Sequence, residues 1–186
     1  ALVESFLFVY LVTDFSGTDK KLLGVAVAIQ CLFQLPVFFY IQRFIERFSL
    51  TALLSACHVI FAARLFAYSV LPSAHPWFVL FVEPFHGITL AAMWSCSVEF
   101  GRRLSPKGAE ARMQALVAGI FYRVSQGAGA LAWGFATQPY PEGYGFPAMY
   151  RLAAATIVVW SLVWNMGWAL NALRPQQKAF GETLTA

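Results

Sequence analysis

Apolar residues run along this chain in stretches of about twenty positions, separated by short polar or Pro/Gly-bearing breaks. A helix that crosses a bilayer needs about 20 predominantly apolar residues. Positions 22–41, 50–71, 77–100, 113–136 and 152–173 each meet that length. Pro36 falls inside the first of these, Pro72 closes the second, and Pro76 opens the third at a favoured first helical position, with Pro84 farther along. Residues 1–13 are apolar but too short to cross, and predict the outer half of a helix whose start lies upstream. The pattern therefore predicts an all-α integral membrane helix bundle over residues 1–174, with five full spans and a truncated sixth. A polar, loose tail is expected over 175–186. Residues 138–147, rich in Pro, Gly and Tyr, read as an exterior turn.

Composition agrees with the pattern. Hydrophobic residues make up 59% and charged residues 12% of the chain, half the charged share of a soluble domain, which is about 25%. The sequence pI near 9.1 would suit a nucleic-acid binder, but the basic residues sit at the ends of the apolar segments. That placement fits membrane topology, so no nucleic-acid partner is expected. Arg43, Arg47, Arg102, Arg103, Lys107, Arg112, Arg174 and Lys178 lie on one side; Lys20, Lys21 and Arg151 lie on the other, beside Asp14, Asp19 and Glu142. The bias predicts a multi-pass protein with a cytoplasmic C-terminus. Cys31, Cys57 and Cys96 fall inside apolar segments without metal-like spacing, which argues against a disulfide framework. No basic region precedes an apolar one at the start, so no cleavable signal is visible.

Against this background the charges inside the spans stand out. A charge at the centre of a membrane helix costs roughly 2.5–3.5 kcal/mol on insertion scales, and persists where it is paired or used. Arg64 lies about 10 Å from the outer end of its helix and Glu83 about 9 Å in on the next, by helix rise, so an ion pair is geometrically reasonable. His86 shares the face of Glu83, which continues through Leu90, Trp94 and Ser97. By the same arithmetic Glu4 and Arg123 lie near mid-membrane and are expected to face each other. Each pair also has a purely structural reading, in which it only holds helices in register; His86 alone can be a packing histidine, and His58 reads as structural. Gly119, Gly127, Gly129 and Gly134, with Ala128 and Ala130, make one helix small-sided, which predicts close helix packing, a sliding contact, or both. Glu83-x-x-His86 has the spacing of di-iron bundle ligands, but that chemistry needs a second copy and two further Glu. No metal or other cofactor is expected, and no nucleophile elbow, phosphate loop or zinc motif points to an enzyme.

Pro36, the loop Ile41-Gln-Arg-Phe-Ile-Glu-Arg-Phe48, Arg64, Phe85-His86-Gly87 with Trp94, and Gln126-Gly-Ala-Gly129 carry a resemblance over nearly the whole chain. The chain resembles the C-terminal six-helix half of a major facilitator superfamily transporter, in particular the lactose-permease-like proton symporters and the related domain-containing-protein-6-like branch. The resemblance implies helices seven to twelve of a twelve-helix fold and proton-coupled transport. It also implies an Arg and a His near the proton site and a charged pair between helices seven and eleven, which Glu4 and Arg123 match. Two departures matter. The permeases carry an acid three residues after the His, where this chain has Thr89, and Glu83 instead precedes His86. Gln30, Cys31 and Gln34 stand where a sugar-contacting acid would be expected.

The sequence therefore points to a secondary transporter of a small solute, working by alternating access. Its expected partners are the lipid bilayer, an N-terminal six-helix half and the small-molecule substrate. Glu83 and His86 are the titrating candidates, with Arg64 tuning Glu83. Gln30, Gln34, Thr89, Trp94 and Gln126 are candidate cavity contacts. The alternative is a receptor or scaffold on the same fold that does not transport, with 138–147 as its working surface.

Overall fold

A computed structural model describes the backbone of residues 2–138 and 144–184, and the side chains of residues 6–138 and 144–171. Among the described residues the fold is all helical. Helix α1 spans Leu2–Asp14, α2 Lys20–Phe48, α3 Leu50–Ser69, α4 Glu83–Leu104, α5 Glu110–Ala118, α6 Ser125–Ala136 and α7 Gly145–Leu184. A 3₁₀ segment, Pro76–Phe81, leads into α4, and a π-helical segment, Gly119–Val124, joins α5 to α6 without a break.

Local chemistry accounts for most of the boundaries. Asp19 precedes α2 and its Oδ1 accepts the Leu22 N–H at 2.8 Å, satisfying one of the donors a helix start leaves unpaired. The helix then passes through Pro36, whose missing N–H leaves the carbonyl of Leu32 without its usual partner. It ends at Phe48, about two turns beyond the apolar run, because 42–48 is made of good helix formers and aromatics. A single residue, Ser49, separates α2 from α3: it has φ +67°, and its hydroxyl accepts the Ala52 N–H at 3.4 Å. At the start of α5 the backbone N–H groups of Glu110 itself and of Gly108 hold the Glu110 carboxyl below the usual carboxylate range.

Packing builds two apolar clusters. The larger gathers Leu7, Tyr10 and Leu11 of α1, Leu65 and Tyr68 of α3, Val79 of the 3₁₀ segment, and Met149 and Tyr150 of α7. A smaller one joins Ile45, Leu50 and Cys96 at the opposite end. The main helix contacts are α3 on α7, α2 on α4, and α3 on α4. The α2–α4 approach is close because α4 has glycine at the crossing: a Cβ at Gly87 would fall on the Gln30 carbonyl oxygen and within 3.2 Å of Phe33 Cβ. Gln114 of α5 donates its amide to the Val98 carbonyl of α4 at 2.9 Å.

Outside these clusters the surface is apolar. Leu32, Leu35, Phe39, Leu131, Phe135 and Leu162 are each more than 60% exposed, far beyond what water tolerates in a contiguous belt. Among the described residues four helical stretches are long and apolar enough to cross a membrane: Lys20–Phe48, Leu50–Ser69, Pro76–Leu104 and Gly145–Asn171.

Three expectations change. The apolar run 77–100 is not one helix: it breaks at Val82, so Pro84 sits at the start of α4 instead of interrupting a span. The backbone beyond Arg174 continues as helix to Leu184 where a loose tail was expected, since Gln, Lys and Ala dominate 176–179 and all favour helix. Two of the glycines on the small-sided helix have no close neighbour among the described residues. A Cβ at Gly119 or Gly127 would meet nothing within 4 Å, and at Gly134 only Phe6 Cζ at 4.0 Å. The three cysteines are free, with Cys57 and Cys96 buried.

The Gly87 contact yields a paired prediction. Gly87→Ala forces α2 away from α4 and lowers unfolding stability by about 1–3 kcal/mol, as overpacking does. Gly24→Ala on the same α2, where a Cβ meets open space, raises it by up to about 1 kcal/mol. Thermal melts of the two variants in detergent check the contrast.

Candidate functional site

Four ionisable or hydroxyl-bearing side chains meet where α3 and α4 cross below the 3₁₀ segment. Arg64, Tyr68, Glu83 and His86 are all buried, none more than 5% exposed. Glu83 owes its place to the break at Val82. It occupies the first turn of α4, where unpaired N–H groups and the helix dipole favour a carboxylate. Pro84, next to it, lacks an N–H that would have gone unpaired there anyway. The 3₁₀ segment rises about 2.0 Å per residue against about 1.5 Å for an α-helix, which carries Glu83 deeper than a continuous helix would.

The carboxylate is held from two sides. The Tyr68 hydroxyl donates to Glu83 Oε1 at 2.8 Å, and His86 Nδ1 lies 3.2 Å from Glu83 Oε2. Arg64 reaches the same place from α3: its guanidinium carbon lies 4.8 Å from the Phe61 ring centroid and 5.9 Å from that of Tyr68. Residues 61, 64 and 68 share one face of α3 by their spacing of three and four. Tyr68 thus touches both expected partners, the guanidinium through its ring and the carboxylate through its hydroxyl.

Two more tyrosines close the site. The Tyr150 ring packs 5.4 Å from Tyr10 and 5.5 Å from Tyr68, and Tyr10 donates weakly to the Tyr68 carbonyl at 3.5 Å. The buried Tyr150 hydroxyl has no hydrogen-bond partner among the described residues.

The remaining candidates lie elsewhere. Thr89 is buried, and its hydroxyl turns back onto the Phe85 and His86 carbonyls at 2.7 and 3.2 Å. Gln30 and Gln34 are half-buried on α2, and Gln30 presents its backbone to Gly87. Trp94 is half-buried on α4 with the Phe121 and Tyr122 rings tilted against it, while Arg123 and Gln126 are exposed. The expected Glu4–Arg123 pair lies outside the described residues on the Glu4 side. His58 packs edge-on to Trp164 at 6.2 Å, and its Nδ1 lacks a hydrogen-bond partner among the described residues. No group of three or more His, Cys, Asp or Glu suited to a metal occurs among the described residues.

The sequence pattern did not single out Tyr10, Tyr68 or Tyr150. It also missed Glu99, whose carboxylate accepts from Arg102 Nε and Arg103 Nε at 2.7 and 2.8 Å near the end of α4. That cluster was recoverable, since acid and base stand three and four residues apart.

An all-helical bundle with several membrane-crossing helices, and an ionisable cluster buried where two of them cross, fits a membrane transporter. The chain matches the MFS_1 like family over residues 1–146, and it belongs to that family and so to the major facilitator superfamily of membrane transporters. No solved structure matches it.

The site predicts a stability effect. Tyr68→Phe leaves a buried carboxylate oxygen without its donor and costs about 1–3 kcal/mol of unfolding stability. Tyr10→Phe, which loses only a 3.5 Å contact, costs less than about 1 kcal/mol. Chemical denaturation of both variants in the same detergent orders them.

Proposed function

We propose that the chain is the C-terminal half of a twelve-helix secondary transporter that couples proton movement to uptake of a small solute by alternating access. The observation that carries this reading is Glu83: an acid 2% exposed, inside a membrane-crossing stretch, hydrogen-bonded to Tyr68 and beside His86. Arg64, at the Tyr68 ring, brings a positive charge to the same helix crossing. A conformational change that separates α3 from α4 would break the Tyr68–Glu83 hydrogen bond, which ties the acid to alternating access.

The partner half is expected on the open, small-residue side of α5 and α6, where Gly119 and Gly127 have empty space beside them. In superfamilies built from two such halves, substrate binds near the midplane between them. Arg43 and Arg47 near the end of α2, with Arg102, Arg103 and Lys107 at and after the end of α4, support a cytoplasmic C-terminus by the positive-inside rule.

Reconstituted into vesicles as the full protein, Glu83→Gln abolishes uptake driven by a pH gradient and preserves exchange of solute across the membrane. The charge-reversed double variant Arg64→Glu/Glu83→Arg also loses uptake. Gradient-driven uptake by Glu83→Gln at the wild-type rate would sink proton coupling through this acid, and uptake by the reversed pair would reduce it to a structural contact.

A further inference from the structure

The π-helical segment Gly119–Val124 re-aims one stretch of helix. The Ser125 N–H bonds the Ile120 carbonyl, five residues back, which widens the turn by one residue. The Ser125 hydroxyl lies 2.7 Å from the Ile120 carbonyl and 2.6 Å from that of Phe121, so it covers the acceptors that the wide turn exposes. Neighbours in sequence ordinarily point different ways on a helix. Here Phe121 and Tyr122 both reach Trp94 of α4, with ring centroids 5.2 and 4.9 Å away. Beyond Tyr122, the residues Ala118, Gly119, Arg123 and Gln126 complete a cavity of about 340 Å³.

The cavity combines one aromatic ring, Tyr122, with a cation. Arg123 lies about 20 Å from the outer end of α6 by helix rise, close to mid-membrane. It is exposed, and among the described residues no carboxylate bonds it. A guanidinium at that depth facing lipid would cost roughly 2.5–3.5 kcal/mol, so it belongs on a watered face. Its planar fork matches a carboxylate held by two parallel hydrogen bonds. The Gln126 amide, one turn on, offers a further N–H on the same face. The Tyr122 ring, backed by Trp94, offers a stacking surface to a flat apolar body.

We propose that Trp94, Tyr122, Arg123 and Gln126 form the binding site for a small organic anion with a flat ring, an aryl or heteroaryl carboxylate. This rests on the transporter reading only in placing the α5–α6 face on the central cavity. The carboxylate sits on Arg123 and Gln126, and the ring lies against Tyr122. The π turn lies at this site, spanning Tyr122 and Arg123.

Equilibrium binding of radiolabelled benzoate and indole-3-acetate to the purified full-length protein tests the assignment, with benzamide and acetate as competitors. The aryl carboxylates are expected to bind roughly tenfold to a hundredfold more tightly than benzamide, which lacks the charge, the range of one charge-assisted hydrogen bond. Acetate, which lacks the ring, competes weakly. Arg123→Gln removes the preference for carboxylate over amide, Arg123→Lys keeps part of it, and Tyr122→Ala weakens both ring-bearing ligands. If Arg123→Gln does not fold, the wild-type competition series and Arg123→Lys decide alone. Failure of both aryl carboxylates to bind, equal binding of benzamide, or a preference unchanged in Arg123→Gln overturns the site. Vesicle uptake separates the two readings: Arg123-dependent binding without transport defeats the transporter and leaves the site, whereas transport of another solute without aryl carboxylate binding does the reverse.

Discussion

The hydrogen bond from Tyr68 to Glu83 is the contact on which the helix arrangement turns. A buried carboxylate without donors is costly enough that it would either neutralise or pull the helices apart. Tyr68 comes from α3 and Glu83 from the first turn of α4, so satisfying the acid fixes the crossing of those two helices. Arg64 and His86 arrive from the same two helices, and the Tyr10 and Tyr150 rings bring α1 and α7 against the other side of Tyr68. The larger apolar cluster is thus arranged around a polar centre. Its apolar residues supply cohesion, and the acid supplies the register.

The membrane explains why so little else is needed. In a bilayer the helices satisfy their own backbone groups, and apolar side chains facing lipid are no liability. Contacts concentrate accordingly where a helix offers a gap: at Gly87, which admits the α2 backbone, and at Gly101, which faces Val117 of α5. The small residues of α6 offer a similar gap, but no neighbour among the described residues fills it. Glycine permits a close approach and does not by itself supply the partner.

The spans were legible because hydropathy over twenty residues is a strong signal, and the buried charges were legible because depth can be counted along a helix. Arg64, Glu83 and His86 do share one buried place. What escaped was anything that depends on a change of helical pitch. The 3₁₀ segment before α4 and the π turn before α6 lie inside uninterrupted apolar sequence, where Pro84 or Ser125 alone marks the spot. Tyr68 escaped for another reason: a tyrosine in an apolar run looks like any other core ring until a neighbouring helix places an acid against its hydroxyl. Helix ends were blurred at 42–48 and beyond Arg174, since residues that favour helix carried it past the apolar boundary.

Ser49 gives the arrangement a mechanical character. One residue, with φ +67°, both ends α2 and starts α3. Two long rods joined at such an elbow have no slack between them, so a tilt of one is handed to the other through two backbone angles. The α2 rod grips α4 at Gly87, and the α3 rod carries Arg64 and Tyr68. A displacement at the far end of α2 is therefore geared, through a lever about 43 Å long by helix rise, to the distance between Tyr68 and the acid it holds.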